Sequence, residues 1–476
     1  NGMFAFSLYD NHIKKFYLAR DRYGIKPVYY HITNDNTFIY ASETKSILEY
    51  KDYKSEVDNE ALFEYFTFQN ILTNKTLHSN IHILEAGHYF EIDLLSKKIN
   101  KTQYWDFDFS KPEIIKNERE YLIELDRLFT QAVERQLVAD VPVGSYLSGG
   151  LDSGSICAIA SNNFRNHGSY LKTFTVGFDL SSASGMELFF DERAKAEAMS
   201  YHFQTEHYEM VLKSGDMERC MNEFSYHLEE PRVAQSYPNY YAAKLASKFV
   251  KVVLSGAGGD ELFAGYPWRY SHAINNINSG SFIDKYYRLW HRLIDTNDIE
   301  SVFSPISESI KEVNSKEIFS NVFKIPDTNQ SQEDYINHAL YFEAKTFLHG
   351  LLVVEDKNSM AHSLETRLPF LDNDLVDFSQ KIPIDLKLNM KAVSRMNGGE
   401  TGNQKTNDGK TILRKAMKKY IPDDISKAAK QGFSSPDQTW FKGESIDFVK
   451  RKILNPNANI YQYMDKTLIK KMINDH

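Results

Sequence analysis

The sequence predicts an α/β protein in which an antiparallel, β-rich stretch precedes a parallel sheet covered by helices. Three observations carry that expectation. Short apolar runs broken by turn residues fill the stretch from Met3 to Ser42. Strand and helix patterns then alternate from Val143 to Ser255, and from about Phe282 the chain is mainly helical in pattern. At 476 residues the chain is too long for one ordinary core, so two or three domains are expected.

Taken in order, the runs Met3–Tyr9, Phe16–Ala19, Val28–Ile32 and Phe38–Ala41 are split by Asp10-Asn11-His12 and Asn34-Asp35-Asn36, the pattern of an antiparallel meander. Helical pieces follow at Thr44–Tyr50 and Asn59–Gln69, and Gly87–Trp105 returns to strand character. Phe107–Asn117 reads as a linker. Asn117-Glu118-Arg119-Glu120 forms a capping box for a helix with Tyr121, Leu125, Leu128, Phe129, Ala132 and Val133 on one face. Further on, Leu171–Phe178, His207–Val211 and Lys251–Ser255 read as strands and Asp191–Phe203 as a helix. A parallel sheet of this kind holds its ligand outside the carboxyl ends of its strands. Asn397–Lys410, with four glycines and three asparagines, is predicted to be a mobile surface excursion.

Composition narrows the function. A net charge of −8, with no Lys/Arg cluster interleaved with aromatics, argues against nucleic acid as a partner. No apolar run reaches membrane-spanning length, so a membrane is not an expected partner either. Cys157 and Cys220 form neither a metal spacing nor a disulfide framework, which suits the reducing cytoplasm. The chain opens at Asn1-Gly2, enters a strand pattern at once, and reads as a cut piece with no signal peptide before it.

The chemistry is concentrated in Val143–Ala160, where an apolar strand, a turn at Gly149 and Gly150, and a helix opening near Asp152 and Ser153 follow one another. Glycines let backbone N–H groups approach phosphate oxygens, and the helix start adds free donors and a partial positive charge. No Gly-Lys-Ser/Thr follows, so this is not a loop that grips a γ-phosphate with lysine. A serine- and glycine-rich loop is usually only a loop; its setting between strand and helix, with an acid at the helix start, makes it a candidate anion site. Ser-Gly-Gly-Leu-Asp-Ser resembles the pyrophosphate loop of the ATP pyrophosphatase superfamily. A second strand end, Leu254-Ser255-Gly256-Ala257-Gly258-Gly259-Asp260-Glu261, repeats the glycine turn with two acids. If its strand neighbours the first, Asp260 comes within reach of Asp152, and two carboxylates flanking a phosphate chain suit Mg²⁺.

Two further motifs complete a pattern. On composition alone, Met360–Asp372 reads as a helix C-terminus packing on a core, and Lys430-Gln431-Gly432-Phe433 sets a cation beside a glycine turn. Together with the two loops, in this order, they resemble the glutamine-dependent asparagine synthetases. Gly2-Met3-Phe4-Ala5-Phe6 and Arg20-Asp21-Arg22-Tyr23-Gly24-Ile25-Lys26-Pro27-Val28-Tyr29-Tyr30 resemble the later half of that family's glutaminase domain.

The resemblance implies residues 1–110 as the C-terminal portion of a type 2 glutamine amidotransferase domain, an incomplete αββα N-terminal-nucleophile sandwich. Residues 118–476 would form the ATP-pyrophosphatase synthetase domain, adenine nucleotide alpha hydrolase-like, with a helical C-terminal region. It implies that the aspartate side chain is adenylated from ATP before ammonia displaces AMP. Leu147, Val176, Ser255 and Gly256 would hold adenosine, while Ser148, Gly149, Gly150 and Ser153 would cradle pyrophosphate. Asp152 and Asp260 would bind Mg²⁺, and Lys430 would neutralise charge developing on the phosphates. The implied partners are small molecules, aspartate, ATP and ammonia or glutamine, and a homodimer is left open.

Two departures qualify this. The family's nucleophilic cysteine and its glutamine-binding residues precede the Gly-x-Phe-Ala-Phe motif, which here begins at Gly2, so the chain as given is not expected to hydrolyse glutamine. Ala257 stands where asparagine synthetases carry a glutamate implicated in forming the aspartyl-adenylate. That leaves open another acceptor, such as a sugar uronic acid or a ring-closing amide. A catalytically silent binding subunit is disfavoured by the coexistence of Asp152, Asp260 and Lys430.

Overall fold

The computed structural model describes residues 2–109, 117–181, 187, 190–233, 236–274, 282–295, 297–324, 330–396, 406–429, 435–443 and 445–475. In its first part, β1 (Ala5–Asp10) and β2 (Lys15–Arg20) form an antiparallel hairpin. The chain does not continue as one meander. β3 (Tyr29–Ile32), β4 (Phe38–Ala41) and β5 (His82–Ile83) make a separate sheet of order β4-β3-β5, while β6 (His88–Asp93) and β7 (Lys98–Gln103) return to the first, of order β1-β2-β6-β7.

The reason lies in Asp21, whose buried carboxylate accepts hydrogen bonds from the backbone N–H groups of Tyr23, Ile25, Lys26 and Phe4 at 2.9–3.2 Å. A charge taken out of water needs this many donors, and gathering them folds the chain sharply between the sheets. The sheets then pack through Leu18, Val28, Tyr30, Leu84, Phe90 and Ile92, with Tyr30 edge-on to Phe90 at 4.8 Å.

The second part holds five parallel strands, β8 (Val143–Tyr146), β9 (Lys172–Phe178), β10 (Glu206–Leu212), β11 (Val252–Leu254) and β12 (Glu365–Arg367), in the order β10-β9-β8-β11-β12. The fifth strand was not expected: its Glu-Thr-Arg has no apolar pattern, yet Glu365, Thr366 and Arg367 pair in register with Val252, Val253 and Leu254. The helix ends earlier, at Met360. Strand order runs outward in both directions from β8, so a crevice opens between the loops that leave β8 and β11.

Asn117 caps the helix Glu118–Leu137, its side chain accepting from Glu120 N–H at 3.1 Å, and the six predicted apolar positions are all buried. The predicted linker begins inside the core instead: Phe107 and Phe109 are buried and stacked at 6.0 Å. Residues 110–116 of it lie outside the described residues.

The two parts meet across a polar seam. Lys26 is 2.9 Å from Asp356, and Arg20 reaches the His349 ring at 3.0 Å. Glu229 accepts from Thr44 and Lys45 N–H groups and pairs with Lys357, while Glu230 accepts from Leu77 N–H and pairs with the fully buried Arg232. Arg232 in turn donates to the Ile71 carbonyl at 3.0 Å.

Candidate active site

β8 delivers Leu147-Ser148-Gly149-Gly150 to the N-terminus of the helix Leu151–Asn166. Gly149 has φ +74°, and a Cβ there would lie 2.6 Å from Lys195 Cβ, so the turn requires glycine. Gly150 is the N-cap and supplies no side chain to close the helix start, which keeps its first N–H groups available to an anion. Ser153 Oγ accepts from Ser148 N–H at 3.1 Å and lies 3.1 Å from Ser148 Oγ, holding the loop in shape.

Because β11 pairs with β8, the second glycine loop lies directly against the first. A Cβ on Gly259 would come within 2.8 Å of Asp152 Oδ1, and one on Gly256 within 3.0 Å of Asp152 Cβ. Gly258 takes φ +96° to turn the chain, and Gly265 gives Asp260 the room it occupies. Asp152 and Asp260 therefore face one point in space.

Lys410 occupies that point. Its Nζ lies 2.5 Å from Asp152 Oδ2 and 2.6 Å from Asp260 Oδ1, with a side chain only 4% exposed. Its backbone sits at φ 56°, a conformation rare for a residue with a Cβ, and its N–H donates to the Phe263 carbonyl at 3.0 Å. The predicted surface excursion thus ends in a buried, conformationally fixed cation. Residues 397–405 lie outside the described residues, as does Lys430.

Two adjoining cavities sharing Ser148, Asp152 and Ser153 make up the cleft. The smaller, about 120 Å³, is lined by the first glycine loop with Lys195, Lys410 and Arg414. The larger, about 290 Å³, is lined by Leu147, Val176, Ser255, Gly256, Asp260 and Ala257 together with Glu355 and Asn358. Every residue proposed from sequence for the nucleotide lines one or both.

Two acids near the cleft have displaced proton affinities. Burial, reinforced by Asp260, pushes Glu261 up to about 7 although the Tyr266 hydroxyl donates to it at 2.7 Å. Burial likewise pushes Glu355 up to about 7, opposed by a hydrogen bond from Ser255.

The family model described as Asparagine synthase matches residues 124–476, and that of a Glutamine amidotransferase domain matches residues 1–105. The chain belongs to the asparagine synthase family. It is 31% identical to asparagine synthetase [glutamine-hydrolyzing] 1 of Bacillus subtilis (strain 168), covering 100% of this chain and 74% of that protein. Asparagine synthetase [glutamine-hydrolyzing] 3 of the same organism is 29% identical over 89% of this chain and 66% of its own length. A family relative with a different name, amidase chry2 of Gibberella zeae, is 25% identical over 98% of this chain and 74% of that protein.

Lys410 and Glu355 were missed in the sequence, as were Lys195, Arg414 and Asn358 on the cavity walls. Lys410 sits among glycines and asparagines with nothing in the pattern to single it out. Glu355 had a signal: Glu355-Asp356-Lys357 follows four apolar residues inside the helix Leu348–Met360, which is buried on most faces. A charged run on a buried helix needs partners or a function.

Proposed function

We propose that the chain carries out the synthetase chemistry of its family, amidating aspartate to asparagine through an aspartyl-adenylate with release of AMP and pyrophosphate. Ammonia would come from glutamine in an enzyme with a complete glutaminase. One observation carries this reading: two glycine loops from adjacent parallel strands bring Asp152, Asp260 and Lys410 to one point at a free helix N-terminus. Asp152 and Asp260 fit Mg²⁺ in donor type and spacing, with Lys410 Nζ, which stands between them here, giving way to the metal. Two carboxylates stand close enough to share one cation, and among the described residues no third His, Cys, Asp or Glu joins them, so phosphate oxygens and waters would complete the shell. The metal would screen the triphosphate and help pyrophosphate leave.

The protein's own part follows from geometry. Leu147 and Val176 offer apolar walls to the adenosine, and Ser255 and Gly256 flank it. Ser148, Gly149, Gly150 and Ser153 would hold the departing pyrophosphate by N–H and O–H donors. A substrate carboxylate oxygen would attack the α-phosphorus, the bond to pyrophosphate would break, and negative charge would grow where Lys410 and Arg414 stand. Lys430, outside the described residues, would add a further cation. Fixed donors and cations of this kind lower such a barrier without covalent help.

Aspartate-dependent exchange of labelled pyrophosphate into ATP, with hydroxylamine trapping of the acyl-adenylate, tests the reading. Exchange without any dependence on aspartate would overturn it. A second acceptor is favoured by one observation, Ala257 on the wall of the larger cavity, where a small apolar side chain leaves space beside the glycine turn. A bulkier carboxylic acid that stimulates exchange more strongly than aspartate would establish that alternative.

A further inference from the structure

At Ala257 the second glycine loop offers the larger cavity only a methyl group, which cannot take up a proton. Across the larger cavity, the helix Leu348–Met360 presents Glu355 and Asn358 to the same space. The Ser255 hydroxyl, two residues before Ala257, lies near enough to the Glu355 carboxylate to lower its proton affinity. Asn358 is buried with its Nδ2 donating to the Ser236 carbonyl at 3.2 Å, while its Oδ1 has no hydrogen-bond partner. Both residues therefore border one space, and no ion pair engages Glu355 among the described residues.

We propose that Glu355 is a catalytic residue of the amidation step, the base that takes the proton shed by ammonia as it attacks the acyl-adenylate. The inference rests on the adenylation reading above. The step balances. The nitrogen lone pair forms the C–N bond, one N–H proton passes to the Glu355 carboxylate, and the carbon–oxygen bond to phosphate breaks with its electron pair leaving on AMP. Glu355 then returns the proton to water.

The surroundings suit a proton acceptor. Burial pushes Glu355 up to about 7, and its neighbour Asp356 reinforces this, while Lys26 from the β2–β3 turn and the Ser255 hydroxyl oppose it. Burial, with the Glu355 charge as a lesser cause, holds the Tyr146 hydroxyl at the end of β8 protonated. Asp152, Asp260 and Glu192 also border the cavity, the first two engaged with Lys410. A base whose proton affinity lies near neutrality combines an ionised resting form with a useful driving force.

The test is Glu355→Gln, assayed with ATP, aspartate and ammonium chloride. Amide formation should fall by about 10²–10⁴-fold, the usual worth of general-base help, while pyrophosphate exchange falls by far less. Compared at constant free ammonia, the unaltered enzyme's amidation rate should rise with pH through about 7, and Glu355→Gln should lose that limb. Adding Ala257→Glu to Glu355→Gln should restore part of the amidation. Equal loss of both half-reactions, or loss of neither, overturns the proposal while exchange in the unaltered enzyme leaves the adenylation reading standing. No aspartate-dependent exchange in the unaltered enzyme overturns that reading, and this proposal with it.

Discussion

The two ends of the cleft hold the same functional group under opposite conditions. At the phosphate end, Asp152 and Asp260 close on a single buried ammonium, Lys410. At the acceptor end, Glu355 has only the Ser255 hydroxyl and the nearby Lys26 to oppose burial and Asp356. Carboxylates bonded to a fixed cation serve as charge, whereas a carboxylate starved of cations serves as a place to put a proton. Ligand type alone would have assigned all three acids one role.

The comparison breaks first at Asp152. Asp152→Asn is expected to abolish pyrophosphate exchange at any ATP level, because the lost charge matters most as pyrophosphate departs. Its melting temperature should also fall, since Asp152 sits in the first helical turn and pairs with the buried Lys410, although Asp260 keeps that ammonium partnered. Normal exchange in Asp152→Asn would place the metal elsewhere.

Lys410→Met should come next, lowering kcat for exchange by about 10²–10³-fold with a small change in the KM for ATP, the cost of one fixed electrostatic group. A change confined to KM would make Lys410 a ground-state binder. Gly259→Ala should have a smaller effect. Its new methyl would meet Asp152 Oδ1 at 2.8 Å, forcing the two loops apart at a cost of about 1–3 kcal/mol, read by thermal denaturation and exchange.

The smallest effect sharpens the contrast at the other end. A carboxyl whose folded-state affinity is raised contributes stability at pH below about 4.5 and loses it as pH rises through about 7. Glu355→Gln removes that loss, so its melting temperature should gain on the parent between pH 5 and 8. A gain independent of pH would show that Glu355 is not ionising in that window.

The glycine loops were legible because their chemistry is local: a turn that admits phosphate needs glycine at fixed offsets, and Gly149 and Gly258 both take positive φ. The pairing of β8 with β11 was only a condition in the sequence, because alternating strand and helix patterns do not give strand order; the structure pairs them and so brings Asp152 beside Asp260. Lys410 was illegible because its meaning is wholly tertiary. Nothing near it in the chain says that it will reach 258 residues back to Asp152. β12 was hidden for a related reason, since a three-residue strand at the margin of a sheet is specified by its partner β11 rather than by its own pattern. The separation of the N-terminal strands into two sheets turned on the buried Asp21, whose role no periodicity reveals.

The polar seam between the two parts has a consequence for any attempt to study them apart. Asp356, Glu229 and Glu230 belong to the second part, yet they draw Lys26, the Thr44 and Lys45 N–H groups and the Leu77 N–H from the first. Cutting the chain between the parts would strip those donors from acids already sunk beneath the surface, and stranded charges of that kind are among the costliest defects a protein can carry. A synthetase fragment liberated by dissection would therefore be a poorer fold as well as a shorter one. The deficit would fall first on Asp356, the residue next to Glu355.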